Sequence, residues 1–235
     1  MQSQSPAQQF HNRILASLPR DEIEKLGSHL SFVDLPQHKP LLDERLSCGY
    51  FLEYGIASFV ITLCSGETVE VGAVGSEGVI GLSILLGARS APIETFMQVG
   101  GSGFRIPAGS LKYAFDHCAE LRRHTLHYMQ AFMIQIAHTA ACNRLHTIEA
   151  RMARWLLTYH DRAGSDEIHL THDFLAQMLG APRTTITQAA GLLQRSGLIA
   201  CARGTITITD RQRLEKASCE CYKSVRESYR QLGVF

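Results

Sequence analysis

The stretch Leu170-Thr171-His172-Asp173-Phe174-Leu175-Ala176-Gln177-Met178-Leu179-Gly180-Ala181-Pro182-Arg183-Thr184-Thr185-Ile186-Thr187-Gln188 decides the architecture of this chain. Its pattern predicts a helix over residues 173–179, a break at Gly180-Ala181-Pro182, and a second helix over 183–195. Glycine suits the break because a backbone with positive φ costs it least. Pro182 suits a helix start, where the missing N–H has no partner to lose. Leu175, Leu179, Ile186, Ala189 and Leu193 then fall inside the angle between the helices, and Ala176 is small where the second crosses the first. Arg183, Thr184, Thr187, Gln188 and Gly191 are left on the outer side at helical spacing.

That outer row fits the edges of base pairs. Arginine at the start of a helix lying in a major groove can hold guanine O6 and N7 with two bonds, and Gln188, one turn on, can do the same to adenine. Thr184 and Thr187 suit a base edge or a thymine methyl. Thr171, His172 and Thr185 sit where a helix entrance meets phosphates, contacts that position a protein without reading sequence. Further on, residues 197–202 and 205–208 read as a hairpin turned at Arg203-Gly204. It forms a wing, with Arg203 at its tip facing the backbone phosphates. Double-stranded DNA is the partner these residues predict.

Upstream the periodicity changes twice. Residues 10–30 read as short helices, with Pro19-Arg20-Asp21-Glu22 a helix start. From Phe32 to Ile106 short β-branched and aromatic runs (51–54, 57–63, 68–71, 95–99 and 103–106) alternate with glycine-bearing segments, among them Cys48-Gly49, Ser65-Gly66-Glu67 and Gly100-Gly101, which read as turns. This predicts a double-stranded β-helix or jelly roll. After Pro107 the strand signals stop. Leu126, Met129, Met133, Ile136, Ala140 and Asn143 follow a 3,4 spacing, the seam of a two-stranded coiled coil on one long helix. A helix over 147–161 leads into the motif. The predicted class is therefore α+β in three units: a sensor-like β-roll over 1–117, a dimerisation helix and hinge over 118–146, and a winged helix-turn-helix over 147–235.

Bulk properties narrow the classes. At 235 residues, 45% hydrophobic and 19% charged, the chain has ordinary globular composition. No apolar run spans a membrane, and the polar start Met1–Phe10 is unlike a signal peptide, so no membrane partner and a cytoplasmic location are expected. Seven scattered cysteines argue for reduced thiols rather than a disulfide framework. Residues 1–146 carry 11 Lys and Arg against 13 Asp and Glu, and residues 147–235 carry 12 against 9, so the positive tilt lies on the side of the motif.

With these residues in view, the chain resembles the Crp/Fnr family of bacterial transcription regulators over nearly its whole length, most specifically over 170–186. The resemblance implies a homodimer on a palindromic site, Arg183, Thr184 and Gln188 as the main base readers, and RNA polymerase as a further partner. It places an effector pocket at Gly81, Leu82, Ser83, Arg89 and Ser90. There Leu82 stands where the family's cyclic-nucleotide binders carry a ribose-holding glutamate, which argues against cyclic AMP. Arg89-Ser90-Ala91 matches the phosphate-holding element by type. The family's iron–sulfur sensors cluster cysteines near the N-terminus, and the first cysteine here is Cys48, which argues against that cluster.

Two other classes are weaker. A cupin-like enzyme needs clustered metal ligands on its strands, whereas His38 is the sole histidine between Phe32 and Ile106. No catalytic set is expected. A signalling module docking on protein instead of DNA fits the outer Arg-Thr-Thr-Gln row less well. Cys219-Glu220-Cys221 falls on a helix predicted from Asp210 to Tyr229. Residues two apart there point about 200° from each other, so no shared metal ion is expected.

Overall fold

Two short helices, α1 (Arg13–Ala16) and α2 (Arg20–Gly27), open the part of the chain that the computed structural model describes, residues 10–91 and 93–234. The polar start at residues 1–9 lies outside it. Asn12 anchors α1. Its side chain accepts from the Leu15 N–H at 3.2 Å and donates to the Leu52 and Gly78 carbonyls at 3.1 and 2.9 Å, the N-cap role asparagine fills well.

Strands β1 (Ser31–Leu35), β2 (Cys48–Thr62), β3 (Thr68–Val74) and β4 (Glu94–Pro107) form one antiparallel sheet in the order β1-β4-β2-β3, with the short helix α3 (Leu82–Leu85) between β3 and β4. The expected runs 51–54 and 57–63 are one strand, and so are 95–99 and 103–106. Gly100-Gly101 is not a turn. A Cβ on Gly101 would lie 2.1 Å from the Tyr54 carbonyl oxygen, and one on Gly103 2.4 Å from that of Phe51. These glycines let β4 press on β2 where the register shifts between Leu52 and Ala57. Phe51, Leu52, Ile80, Met97 and Ile106 fill the interior.

Helix α4 (Ala108–His117) leads into α5 (Ala119–Leu145), whose first N–H groups are met from another element. The Glu22 carboxylate accepts from the Glu120 and Leu121 N–H at 3.1 and 3.0 Å, a favourable place for negative charge. Leu121, Thr125, Tyr128, Phe132, Gln135, Thr139 and Cys142 face the chain's own body. Gly78 makes room for the Tyr128 ring, which a Cβ would meet at 2.2 Å.

His146 and Thr147, both extended, separate α5 from α6 (Ile148–Ala163). Then come β5 (Glu167–His169), α7 (His172–Leu179), α8 (Arg183–Arg195), β6 (Ile199–Ala202), β7 (Thr205–Ile208), α9 (Arg211–Ala217) and α10 (Glu220–Gln231), with a second sheet ordered β5-β7-β6. Two features of the C-terminal segment differ from expectation. The helix expected over 210–229 is broken at Ser218-Cys219, both extended. And α10 leaves the winged helix to lie along α5, where Tyr229 and Val234 join the core of the β-roll.

A buried ion pair locks α6 to the sheet domain. Arg162 Nε lies 2.8 Å from Glu77 Oε1, with both side chains only 3% exposed. Arg162 Nη2 donates to Gln135 Oε1 at 3.0 Å, and Tyr229 Oη donates to the same oxygen at 3.1 Å. Gln135 Nε2 in turn donates to the Ala73 carbonyl at 3.1 Å. Removing one partner strands the other charge away from water, at a cost of about 3–5 kcal/mol. Glu77→Ala should lower the unfolding free energy in urea by that amount. Glu77→Ala with Arg162→Met should recover more than half of it, because no orphan charge is left.

Candidate nucleic-acid interface

Helix α8 takes its predicted range and α7 begins one residue earlier than predicted, at His172, and each boundary has a local cause. Thr171 caps α7, its Oγ1 accepting from the Phe174 N–H at 3.1 Å. Gly180 ends α7 with φ of +55°, and Pro182 precedes α8. Leu175, Leu179, Ile186, Ala189 and Leu193 are all buried. Arg183, Thr184, Thr187 and Gln188 are exposed together on the opposite side of α8, with the Arg183 side chain 67% exposed. Its one ionic neighbour among the described residues is the equally open Asp173 at 3.3 Å, a pair of the kind worth little, so the guanidinium can turn to another anion.

The hydroxyl of Thr187 is committed. It donates to the Arg183 carbonyl at 3.0 Å, which leaves the His172 Nδ1 at 3.1 Å as the donor to it. Thr187 therefore offers its methyl outward, and His172 is held half-buried against α8. Thr171 is exposed and Thr185 half-buried at the two helix entrances. The hairpin β6–β7 turns at Arg203 (φ +46°) and Gly204 (φ +80°), with Arg203 exposed at its tip.

The residues expected to form an effector pocket differ in their exposure. Gly81 is buried with φ of +115° at the start of α3, and Leu82 and Ser83 are half-buried. Arg89 and Ser90 lie exposed on the turn after α3. On α5, Leu126 (47% exposed), Met133 (65%) and Ala140 stay uncovered, Met129, Ile136 and Asn143 are half-buried, and the chain's own packing uses the other face.

Residues 150–217 match the Crp-like helix-turn-helix domain. The fold is shared with solved regulators: a protein from Eubacterium rectale described as a transcriptional regulator of the Crp/Fnr family (20% identity, TM-score 0.69, 87% of this chain and 97% of that one), and FixK2 from Bradyrhizobium japonicum (17%, 0.68, 81% and 98%). The chain carries a Crp-like helix-turn-helix domain and shares the fold of these regulators. A third structure, the c-di-GMP-responsive global regulator CLP of Xanthomonas campestris, is similar in the same way (13%, 0.68, 82% and 100%). None of the curated proteins is similar enough to match. Among the described residues, no helix is long and apolar enough to cross a membrane.

Sequence reasoning missed how the winged helix is seated on the sheet. The turn at Gly180 rests on β3, where a Cβ would come within 2.9 Å of Val69 Cγ2. Trp155 Nε1 donates to Glu70 Oε1 at 3.0 Å, and Ser58 Oγ donates to Glu70 Oε2 at 2.6 Å. Burial pushes the Glu70 carboxyl up to about 6 from an ordinary 4.5. A folded value above the unfolded one means ionisation opposes folding: the cost is absent below the unfolded value and complete above the folded one. Stability should therefore fall as pH rises from about 4.5 to 6, by about 1–2 kcal/mol. Glu70→Gln should remove that slope in urea titrations taken between those pH values, and should raise stability at neutral pH.

Proposed function

We propose that this protein is a transcription regulator of the Crp/Fnr type that binds DNA as a homodimer, with α8 of each subunit in a major groove and half-sites about one helical turn apart. The observation that carries the reading is the division of α8, whose apolar residues anchor it while Arg183, Thr184 and Gln188 stand in solvent. Those three read bases, and Thr187 contributes its methyl. Thr171, His172, Thr185 and Arg203 lie against phosphates and set the register. The uncovered seam of α5, from Leu126 to Asn143, packs on its copy, so that the two α8 helices are related by a two-fold axis. The site of action is the cytoplasm, with RNA polymerase as the partner on DNA.

Arg183→Ala should cost about 1–3 kcal/mol of preference for the operator over a scrambled duplex in gel shifts. Equal discrimination by wild type and variant would overturn the base-reading role. Arg203→Ala should instead weaken binding to all sequences alike and flatten the salt dependence by about one phosphate contact.

Met133→Glu places a charge in the middle of the seam without touching the core, since that side chain is mostly exposed within one chain. Burying it against a copy costs several kcal/mol. Sedimentation should show the wild type as a dimer and the variant as a folded monomer. A monomeric wild type would sink the homodimer.

A further inference from the structure

Four side chains that the DNA interface does not use meet at the junction of α5 and α10. Cys142 lies in the last turn of α5, and His146, its C-cap, follows four residues later on the same face. Cys219 is the N-cap of α10, with φ −77° and ψ 163°, and Cys221 is in the first turn. The extended backbone at Ser218-Cys219 removes the 200° separation that a continuous helix would impose, so both thiols turn to the same side. One ligand atom from each of the four residues lies within 4.8 Å of every other, and the three cysteines are buried.

We propose that Cys142, His146, Cys219 and Cys221 form a tetrahedral site for one zinc ion. Zinc–sulfur bonds of about 2.3 Å set neighbouring ligands of a tetrahedron about 3.8 Å apart. Cys142 Sγ and Cys219 Sγ are 3.4 Å apart, and Cys221 Sγ and His146 Nδ1 are 3.8 Å apart. This spacing encloses a single ion, whereas an iron–sulfur cluster spreads its cysteines over several irons. Three cysteines and a histidine are a common closed donor set for zinc.

The surroundings are those of a metal-bound histidine. While Nδ1 of His146 faces Cys221, its Nε2 lies 3.2 Å from Glu220 Oε1. A carboxylate on the far ring nitrogen fixes the tautomer and orients the ligand. Charge is matched as well. Zinc with three thiolates and a neutral imidazole carries one net negative charge. Arg154 reaches the Cys142 sulfur, is only 8% exposed, and has an Nε without a hydrogen-bond partner. Among the described residues no carboxylate pairs with it within 4.0 Å. A buried guanidinium stays charged and requires an anion, which the metal centre supplies. On binding, each thiol that enters the site as a thiol releases its proton to solvent.

The test uses the full-length chain, reduced and freed of metal, then titrated with Co2+ as a spectroscopic stand-in for zinc. The expected result is saturation at one ion per chain, with the intense visible bands of tetrahedral cobalt, near-ultraviolet thiolate-to-metal charge transfer, and displacement by one equivalent of Zn2+. Cys219→Ser and Cys221→Ser should each lose or weaken the charge-transfer band at least tenfold in affinity. Cys64→Ser, at an exposed cysteine elsewhere, should leave it intact. The wild-type spectrum does not depend on any variant folding. A reduced wild type that takes up no ion, one that shows the weak spectrum of octahedral cobalt, or one that binds equally after both α10 substitutions would overturn the site. DNA affinity plays no part in these readings, so the outcome stands apart from the proposed function.

Discussion

One ion pair taken out of water ties the DNA side of this molecule to the sheet domain. Arg162 comes from the far end of α6 and Glu77 from the loop after β3, and the contact has little exposure on either side. Such a pair adds little net stability over an apolar replacement, but it penalises every arrangement in which the two charges part. Because the guanidinium also reaches Gln135, and Gln135 serves both the Ala73 carbonyl and Tyr229, four elements must be in register at once. The pair fixes where the winged helix sits more than how tightly the chain folds.

Around that lock, α5 works on two sides. Tyr128, Phe132 and Gln135 commit one face to the chain's own core, while Leu126, Met133 and Ala140 remain uncovered. A 27-residue helix is long enough to do both. Its last turn carries Cys142 beside α10, so the same rod runs from the sheet to the junction that precedes the DNA-binding helices.

The features legible in the sequence are those whose causes are local. Thr171, Gly180 and Pro182 act on the residue or turn next to them, so the limits of α7 and α8 could be read directly, as could the division of α8 into an apolar and a polar side. The misread features have distant causes. Gly100-Gly101 looks like a turn because glycine permits one, but the reason for it is the Tyr54 carbonyl on another strand. The break at Ser218-Cys219 has no proline or glycine to announce it, and α10 turns away because Tyr229 finds Gln135, far back in the chain. The pairing of Arg162 with Glu77 joins residues 85 apart, and no periodicity records it. The four-residue spacing of Cys142 and His146 was a visible signal, but its partners required the fold.

Trp155 is the only tryptophan in the chain, and it sits at the seam between sheet and winged helix with its ring nitrogen bonded to Glu70. Intrinsic fluorescence excited at the indole therefore reports on a single place. Any event that draws the DNA-binding half off the β-roll hydrates that ring and removes its hydrogen bond, so the emission moves to longer wavelength. The protein carries its own optical gauge of domain separation, and no label has to be added to read it.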